Sequence, residues 1–506
     1  MNVCLLYSDR EFDWEQKISA DRRQVAQDLN LDVLLAAASG DDPVLATAVE
    51  KVLLVGSGDL AEIQFRQEVL KDFMAQAPVL SELYAMAMEA LEQRRHAHLG
   101  IFTRHAESMM HEAIPLLRML FEYLEKVRDW VRAHAEDFRS PGLQMFGQRL
   151  EQALDDSYLN QVRDHLEALA FRQGMVFSAQ LGPGLKGQHY VLHQSPPAGH
   201  HWNLNFFRKS PETYTVVIAD RDESGHTALG ELKDLGLARV ARGLVQAADH
   251  ILAFFKQLRM ELAFYLGCLN LAQRLQEIQE PVTFPTLAPA NERVREASGL
   301  YDVCLALQLN RRVVENDCNA EGISLTIVTG ANQGGKSTFL RSLGLAQLMM
   351  QSGMFVAATR YHGNICSEVF THFGRREDQT MESGKLDEEL RRCASIVDGL
   401  QKNGLVLFNE SFASTNEREG SEVARQITQA LVESHIQVVF VTHLVTFANQ
   451  WQDSAAPWVQ CLRAERRDDG VRTFKIVEGA PLSTSFGRDV YRKIFGELGE
   501  EDPEAS

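Results

Sequence analysis

Apolar residues recur at helical spacing through the first part of the chain. Between about 13 and 110, and most clearly in EIQFRQEVLKDFMAQAPVLSELYAMAMEAL, they return every three or four positions, which predicts helices. Leu117, Leu120, Phe121, Leu124, Val127 and Val131 continue at steps of three and four, the stripe of one long amphipathic helix. The period then changes. Between about 175 and 220, MVFSAQ, HYVLHQ, WNLNFF and YTVVIA are short β-rich or aromatic runs separated by GPG, SPPAGH and RKSPE, which predicts a small antiparallel sheet. From about 232, Leu237, Val240, Leu244, Ala247, Ile251, Phe254 and Leu258 form a heptad seam. This order predicts two antiparallel arms with a β tip; two ordinary core helices flanking an inserted hairpin fit the same pattern. The three prolines of EPVTFPTLAPANE (280–292) break the helix and mark a boundary. Beyond it the apolar runs SLTIVTG, GLVLFNE and QVVFVTH alternate with helical stretches, the βαβ pattern of a largely parallel sheet.

Composition narrows the class. With 506 residues and 45% hydrophobic positions the chain is ordinary globular protein, long enough for about three domains. It carries 51 Lys and Arg against 69 Asp and Glu, a net charge of −18, which argues against coating nucleic acid by bulk electrostatics but leaves room for a local basic surface. The seven cysteines form no CxxC pair, as expected of buried thiols in a reducing cytoplasm. MNVCLLYSDREFDWEQK has no secretory signal, and no run of 18 apolar residues occurs, so a cytoplasmic protein without membrane association is expected.

The chemistry lies in the last third. Gly330-Ala331-Asn332-Gln333-Gly334-Gly335-Lys336-Ser337 fits G-x-x-x-x-G-K-[ST], between the strand SLTIVT and a helix that begins with Ser337 and Thr338. Glycines let successive backbone N–H groups turn inward around phosphates, and the helix N-terminus favours the anion. Lys336 is placed to reach the β- and γ-phosphates and the Ser337 hydroxyl to ligate Mg²⁺. The apolar strand Leu405–Phe408 ends in Asn409-Glu410. Glu410 is the candidate general base for the attacking water, and Asn409 stands beside the metal as a neutral oxygen ligand. His443 follows the next apolar strand, where an imidazole can bond to a γ-phosphate. Ser383 opens the helix LDEELRRCASIVDGL, a position that suits either an anion site or a plain cap. His189, His193, His200 and His201 cluster without a carboxylate or Cys at ligand spacing, so no metal is expected there.

TGANQGGKSTFLRSLGLAQLMMQSGMFVAA resembles the P-loop region of the MutS family of DNA mismatch repair ATPases, with Ala331 and Gln333 where that family usually has Pro and Met. VVENDC resembles its adenine-pocket segment, which implies that Val313 and Val314 flank the base. SGKLDEEL resembles its signature helix, which implies that Ser383 serves the partner's γ-phosphate in trans across a homodimer. NESFASTNEREG departs from the usual run but keeps Glu410, Thr415 and Gly420, with Glu419 at the acidic position. Thr442-His443 fits the switch histidine, STSFGRDVYRKIFG the closing helix, Arg66-Gln67 the start of the core domain, and ELAFYLGCLNLAQRL the end of the lever.

The resemblance implies an α/β ABC-type P-loop ATPase domain at the C-terminus, preceded by a mostly α-helical core and lever region with a small antiparallel β insertion. The expected segments are a core-like domain over 1–110, first lever helices over 111–174, a clamp-like tip over 175–230, a returning lever over 231–290 and the ATPase over 291–506. The chain starts almost directly in the core-like region, so the mismatch-reading head and connector are not expected. The implied protein is a homodimeric clamp using ATP and Mg²⁺, binding DNA by structure rather than by mismatch, with Lys186, Arg208 and Lys209 as candidate phosphate contacts. The competing expectation is a nucleotide-switched scaffold for a protein partner, with slow hydrolysis and no DNA specificity.

Overall fold

The computed structural model describes residues 2–96, 105–171, 174–185, 187–193, 214–374, 384–467 and 472–481. The helices of the N-terminal half are α1 (Ala20–Asp28), α2 (Leu31–Ser39), α3 (Pro43–Val55), α4 (Leu60–Ala75), α5 (Ala77–His96), α6 (Ala106–Ala133), α7 (Pro141–Ala153) and α8 (Asp156–Ala168). Strands β1 (Val176–Leu181) and β2 (Gly187–His193) precede α9 (Glu223–Glu277), a helix of 55 residues. The chain then runs through β3 (Thr286–Ala288), β4 (Arg295–Leu300), α10 (Val303–Leu309), β5 (Asn316–Asn319), β6 (Leu325–Thr329) and α11 (Lys336–Ser352). It continues as β7 (Arg360–Asn364), β8 (Val369–Phe373), α12 (Lys385–Gly399), β9 (Leu405–Asn409) and α13 (Glu417–Glu433). The last described elements are β10 (Gln437–Val441), α14 (Val445–Asp453), β11 (Val459–Arg466) and β12 (Arg472–Glu478). Among the described residues no helix is long and apolar enough to cross a membrane.

Two compact units emerge. One comprises Met1–Val3, Pro78–Arg139 and Leu143–Leu262; the other comprises Cys4–Ala77, Ser140–Gly142 and Ala263–Ser506. This grouping differs from the five sequence segments, because residues 4–77 cluster with the C-terminal half. The reason is packing: α1 lies against β8, α2 against α10, and α3 and α4 against α11.

In the first unit the start of α6 is tied to α9. The Asp234 carboxylate accepts from the Ala106 N–H at 2.7 Å and meets His105 Nδ1 at 2.7 Å, while Lys233 pairs with Glu107 at 2.9 Å. Ala106 and Met110 bury against Leu237 and Ala241, with Phe177 and Leu192 of the β-hairpin packed alongside. β1 and β2 pair antiparallel, Val176 opposite His193, with a bulge between Ser178 and Gln180. Two expectations need correction. YTVVIA (214–219) forms neither strand nor helix; no strand among the described residues pairs with it, and β-propensity alone does not make a sheet. The long helix starts at Glu223 rather than near 232, running through Gly225, Gly230 and Gly236. WNLNFF lies outside the described residues.

The second unit is built on a six-stranded sheet ordered β12-β11-β6-β10-β9-β8. Five strands run parallel and β12 closes one edge antiparallel to β11. β6 and β10 are buried along their whole length, which explains their unbroken apolar composition. Phe370, Val406, Phe408, Phe440, Ala424 and Phe447 are among the residues that join this sheet to its helices in one core. A second sheet, β3-β7-β4-β5, mixes one parallel and two antiparallel pairings. The N-terminal segment is sealed in: Cys4 to Tyr7 are buried, the Tyr265 hydroxyl donates to Leu5 O at 2.6 Å, and the fully buried Arg66 donates to Leu6 O at 2.8 Å. Six cysteines are buried and Cys461 is half-buried, and burial pushes the Cys366 thiol up to about 12.

Candidate nucleotide site

Three adjacent parallel strands, β6, β10 and β9, end side by side, and each delivers one part of the site. β6 runs into the glycine-rich loop, which turns into α11 at Lys336. Gly330 and Gly335 sit at φ +114° and +93°, a region that side chains rarely adopt, so glycine is required at these two turns. Lys336 is buried beneath the loop, where its ammonium donates to Gly330 O at 3.1 Å and Ala331 O at 3.2 Å. Burial pushes this ammonium down from its ordinary value; Glu410 opposes that and Arg472 adds to it.

Glu410, just past the end of β9, sets its carboxylate 3.8 Å from Lys336 Nζ and 3.1 Å from His443 Nε2. His443, past the end of β10, lies 3.3 Å from the same ammonium. The Ser337 hydroxyl donates to Asn409 Oδ1 at 2.9 Å. Backbone bonds register the strand ends: Glu410 N–H donates to Val441 O at 2.9 Å and Thr442 N–H to Val328 O at 3.1 Å. Lys336, Ser337, Asn409, Glu410 and His443, predicted separately from three stretches of sequence, therefore meet at one point.

From that point a cavity of about 690 Å³ extends along the loop, within the usual size range of small-molecule sites. Asn332, Gln333, Gly334, Gly335, Lys336, Ser337, Thr338 and Glu410 line one part of it. Leu305, Leu309, Val313, Val314 and Phe474 supply an apolar part, with Arg311, Arg312 and Asn316 alongside. Val313 and Val314 thus lie on the same cavity as the phosphate loop. The buried Glu280 carboxylate accepts from the Val313 N–H at 2.7 Å, and burial pushes that carboxyl up. Asp302 caps α10 by accepting from Leu305 N–H at 3.0 Å and holds Arg341 of α11 through contacts of 2.6 and 2.8 Å. One carboxylate thereby fixes the apolar wall against the phosphate-loop helix.

Sequence reasoning missed the contribution of the β11–β12 hairpin. Phe474 lines the cavity, its backbone approaches Gly335, and Arg472 donates to Gln333 at 3.0 Å. The only available signal was an aromatic residue in a short alternating run, RTFKIVE, which no motif singles out. Gly420 and Thr415 lie by the loop after β9, where Thr415 donates to Glu419 at 2.8 Å. Ser383, Lys186, Arg208, Lys209 and the closing STSFGRDVYRKIFG lie outside the described residues. His193 contacts Ser178 at 2.7 Å, and among the described residues no group of three or more His, Cys, Asp or Glu is placed to hold a metal ion.

Known proteins resemble this chain over two long stretches. A family profile described as the MutS2 N-terminal domain matches residues 58–278, and one described as MutS domain V matches residues 326–496. Over 186 residues the chain is 32% identical to a DNA mismatch repair protein MutS of Thermotoga neapolitana, covering 36% of this chain and 23% of that protein. A DNA mismatch repair protein MutS of Syntrophomonas wolfei is 29% identical over 189 residues, 36% of this chain and 22% of that protein. MutS protein homolog 4 of Homo sapiens is 25% identical over 297 residues, 55% of this chain and 30% of that protein. The chain spans about a quarter of the length of these curated relatives.

Proposed function

The chain belongs to the MutS family, and from that premise we propose that it is an ATP-binding and ATP-hydrolysing DNA clamp acting in DNA repair or recombination. The observation that carries this reading is that His443 meets Lys336 and Glu410, which line the polar part of a cavity whose other walls hold Val313, Val314 and Phe474. A triphosphate lies along the loop N–H groups with its terminal phosphate at Lys336, and the base enters the apolar part. Glu410 takes the proton of the attacking water, and His443 bonds to the γ-phosphate. The Ser337 hydroxyl and Asn409 carbonyl oxygen form a hard-oxygen pair that fits Mg²⁺, a cation that keeps waters and phosphate oxygens as most of its ligands. When bound, the ion neutralises charge on the β- and γ-oxygens.

In this reading two subunits face each other across their nucleotides, and Ser383 of each serves the γ-phosphate of the other. Lys186, Arg208 and Lys209 contact DNA phosphates, and recognition depends on DNA structure rather than on a mismatch. The relatives' names in mismatch repair support the DNA reading. A second reading, the protein-binding scaffold with slow hydrolysis, is favoured by the neutral Asn409 and the charge of −18.

Two measurements decide. Glu410→Gln lowers turnover by about 10²-fold or more while ATP still binds; unchanged turnover removes Glu410 from the base role. Fluorescence anisotropy with duplex, branched and single-stranded DNA, with and without ATP, separates the readings. Salt-dependent binding that responds to ATP supports the clamp, and no affinity at about 50 mM salt supports the scaffold.

A further inference from the structure

The loop that carries Glu410 is backbone-strained. Glu410 and Phe412 both sit in the left-handed region, at φ +54° and +62°, two non-glycine residues out of three. Such strain persists only where the surroundings impose it. The neighbours of this loop show how. The Phe412 N–H donates to Glu389 Oε2 of α12 at 2.8 Å, and the Ser414 hydroxyl approaches the same oxygen at 3.3 Å. The Ser411 hydroxyl donates to His372 O at 2.7 Å, and His372 Nε2 donates to the backbone carbonyl of Glu389 at 3.0 Å. Gly374 N–H donates to Asn409 O at 2.8 Å. Glu389, His372 and Ser411 are all at least 98% buried.

Glu389 is an unusual choice for mere packing. A buried carboxylate is disfavoured unless hydrogen bonds or nearby cations offset its desolvation; here Lys385 and Arg392 of its own helix favour the charge, while its hydrogen bonds go to a main-chain N–H and a hydroxyl of a single loop. Its helix neighbours Asp387 and Glu388 already supply the acidic first turn that suits a helix N-terminus. The Phe412 N–H has the Glu389 carboxylate as its side-chain acceptor, so the carboxylate and the strained turn depend on each other.

We propose that Glu389 is a positioning residue: its carboxylate holds the 410–415 loop so that Glu410 faces Lys336 and His443. The proposal rests on the ATPase reading for its consequence in turnover, but the hold itself is measurable without hydrolysis.

The test uses the full chain with Glu389→Leu and Glu389→Gln. Glu389→Leu removes the acceptor, and kcat falls at least about tenfold while the affinity for a non-hydrolysable ATP analogue stays within about threefold. Glu389→Gln keeps an acceptor oxygen for the Phe412 N–H and restores most of kcat. Hydrogen exchange at the Phe412 amide is the readout independent of turnover: Glu389→Leu raises its rate at least about tenfold. Unchanged protection at Phe412, or a Glu389→Leu kcat within about twofold of wild type, overturns the proposal. If Glu389→Leu does not fold, Glu389→Gln decides, since a Gln variant as slow as Glu410→Gln also overturns it. A wild-type protein that binds ATP but never hydrolyses it sinks the ATPase reading, and the Phe412 exchange rates then judge the hold alone.

Discussion

Gly420 offers a sharp test of how the loop after β9 is built. A Cβ at this position lies 2.3 Å from the Phe412 carbonyl oxygen, where real contacts essentially never fall below 3.0 Å, so the two backbones must part by at least 0.7 Å. The obstacle is a main-chain oxygen and has no rotamer to escape into. In an open helix position, Gly→Ala stabilises by about 1 kcal/mol. Overpacking against a fixed wall costs about 1–3 kcal/mol, and a backbone wall puts Gly420→Ala near the top of that range. The net expectation is a loss of about 2 kcal/mol, with turnover reduced about tenfold because the displaced segment carries Glu410. Gly243 in α9 is the control: it is exposed and a Cβ there meets nothing within 4 Å, so Gly243→Ala gains about 1 kcal/mol. Urea unfolding followed by circular dichroism reads both signs. If Gly420→Ala raises the midpoint as Gly243→Ala does, the close approach and the reasoning built on it are wrong.

Three further outcomes follow from the site. Asn409→Asp adds a charge beside Ser337 and lowers the Mg²⁺ concentration for half-maximal turnover by about tenfold; an unaltered Mg²⁺ profile means Asn409 is no metal neighbour. Phe474→Ala removes the aromatic wall of the cavity and weakens ATP binding about five- to 150-fold, the range for loss of one base–aromatic stack of about 1–3 kcal/mol; an unchanged Kd places the base elsewhere. Burial raises the Glu389 carboxyl above the usual range, against the pull of its bonds to Phe412 and Ser414, so the folded chain holds that proton more tightly than the unfolded one. The ionised form therefore weakens the fold above the folded-state pKa, and this penalty vanishes as pH drops toward the unfolded value. The stability advantage of Glu389→Gln over wild type accordingly grows from acid to neutral pH, and a pH-independent difference between their urea midpoints refutes burial as the cause.

The meeting of Lys336, Ser337, Asn409, Glu410 and His443 was legible in sequence because these residues sit at strand ends, where apolar runs stop abruptly at Gly330, Asn409 and Thr442. Each motif is local, and the parallel sheet brings them together without further information. Phe474, which lines the cavity, and Arg472, which bonds to Gln333, escaped because they come from an antiparallel edge hairpin whose residues belong to no motif. The start of α9 was misplaced because two glycines, Gly225 and Gly230, resemble breakers. Gly236 has a packing reason to be there: a Cβ would fall 2.2 Å from the Phe177 ring, so glycine lets β1 approach the helix. The attachment of residues 4–77 to the C-terminal half was invisible for a different reason, since α1 contacts β8 across more than 300 positions and periodicity carries no record of partners.

The burial of Cys4 to Tyr7 has a consequence for synthesis. The Leu5 carbonyl waits for the hydroxyl of a tyrosine 260 residues later in the chain. At about 5–20 residues per second, roughly 13 to 52 s separate the appearance of the two partners on the ribosome. For that interval VCLLY is an apolar segment without the tyrosine that closes over it. Until Tyr265 is made, a chaperone that binds short apolar segments has a target here.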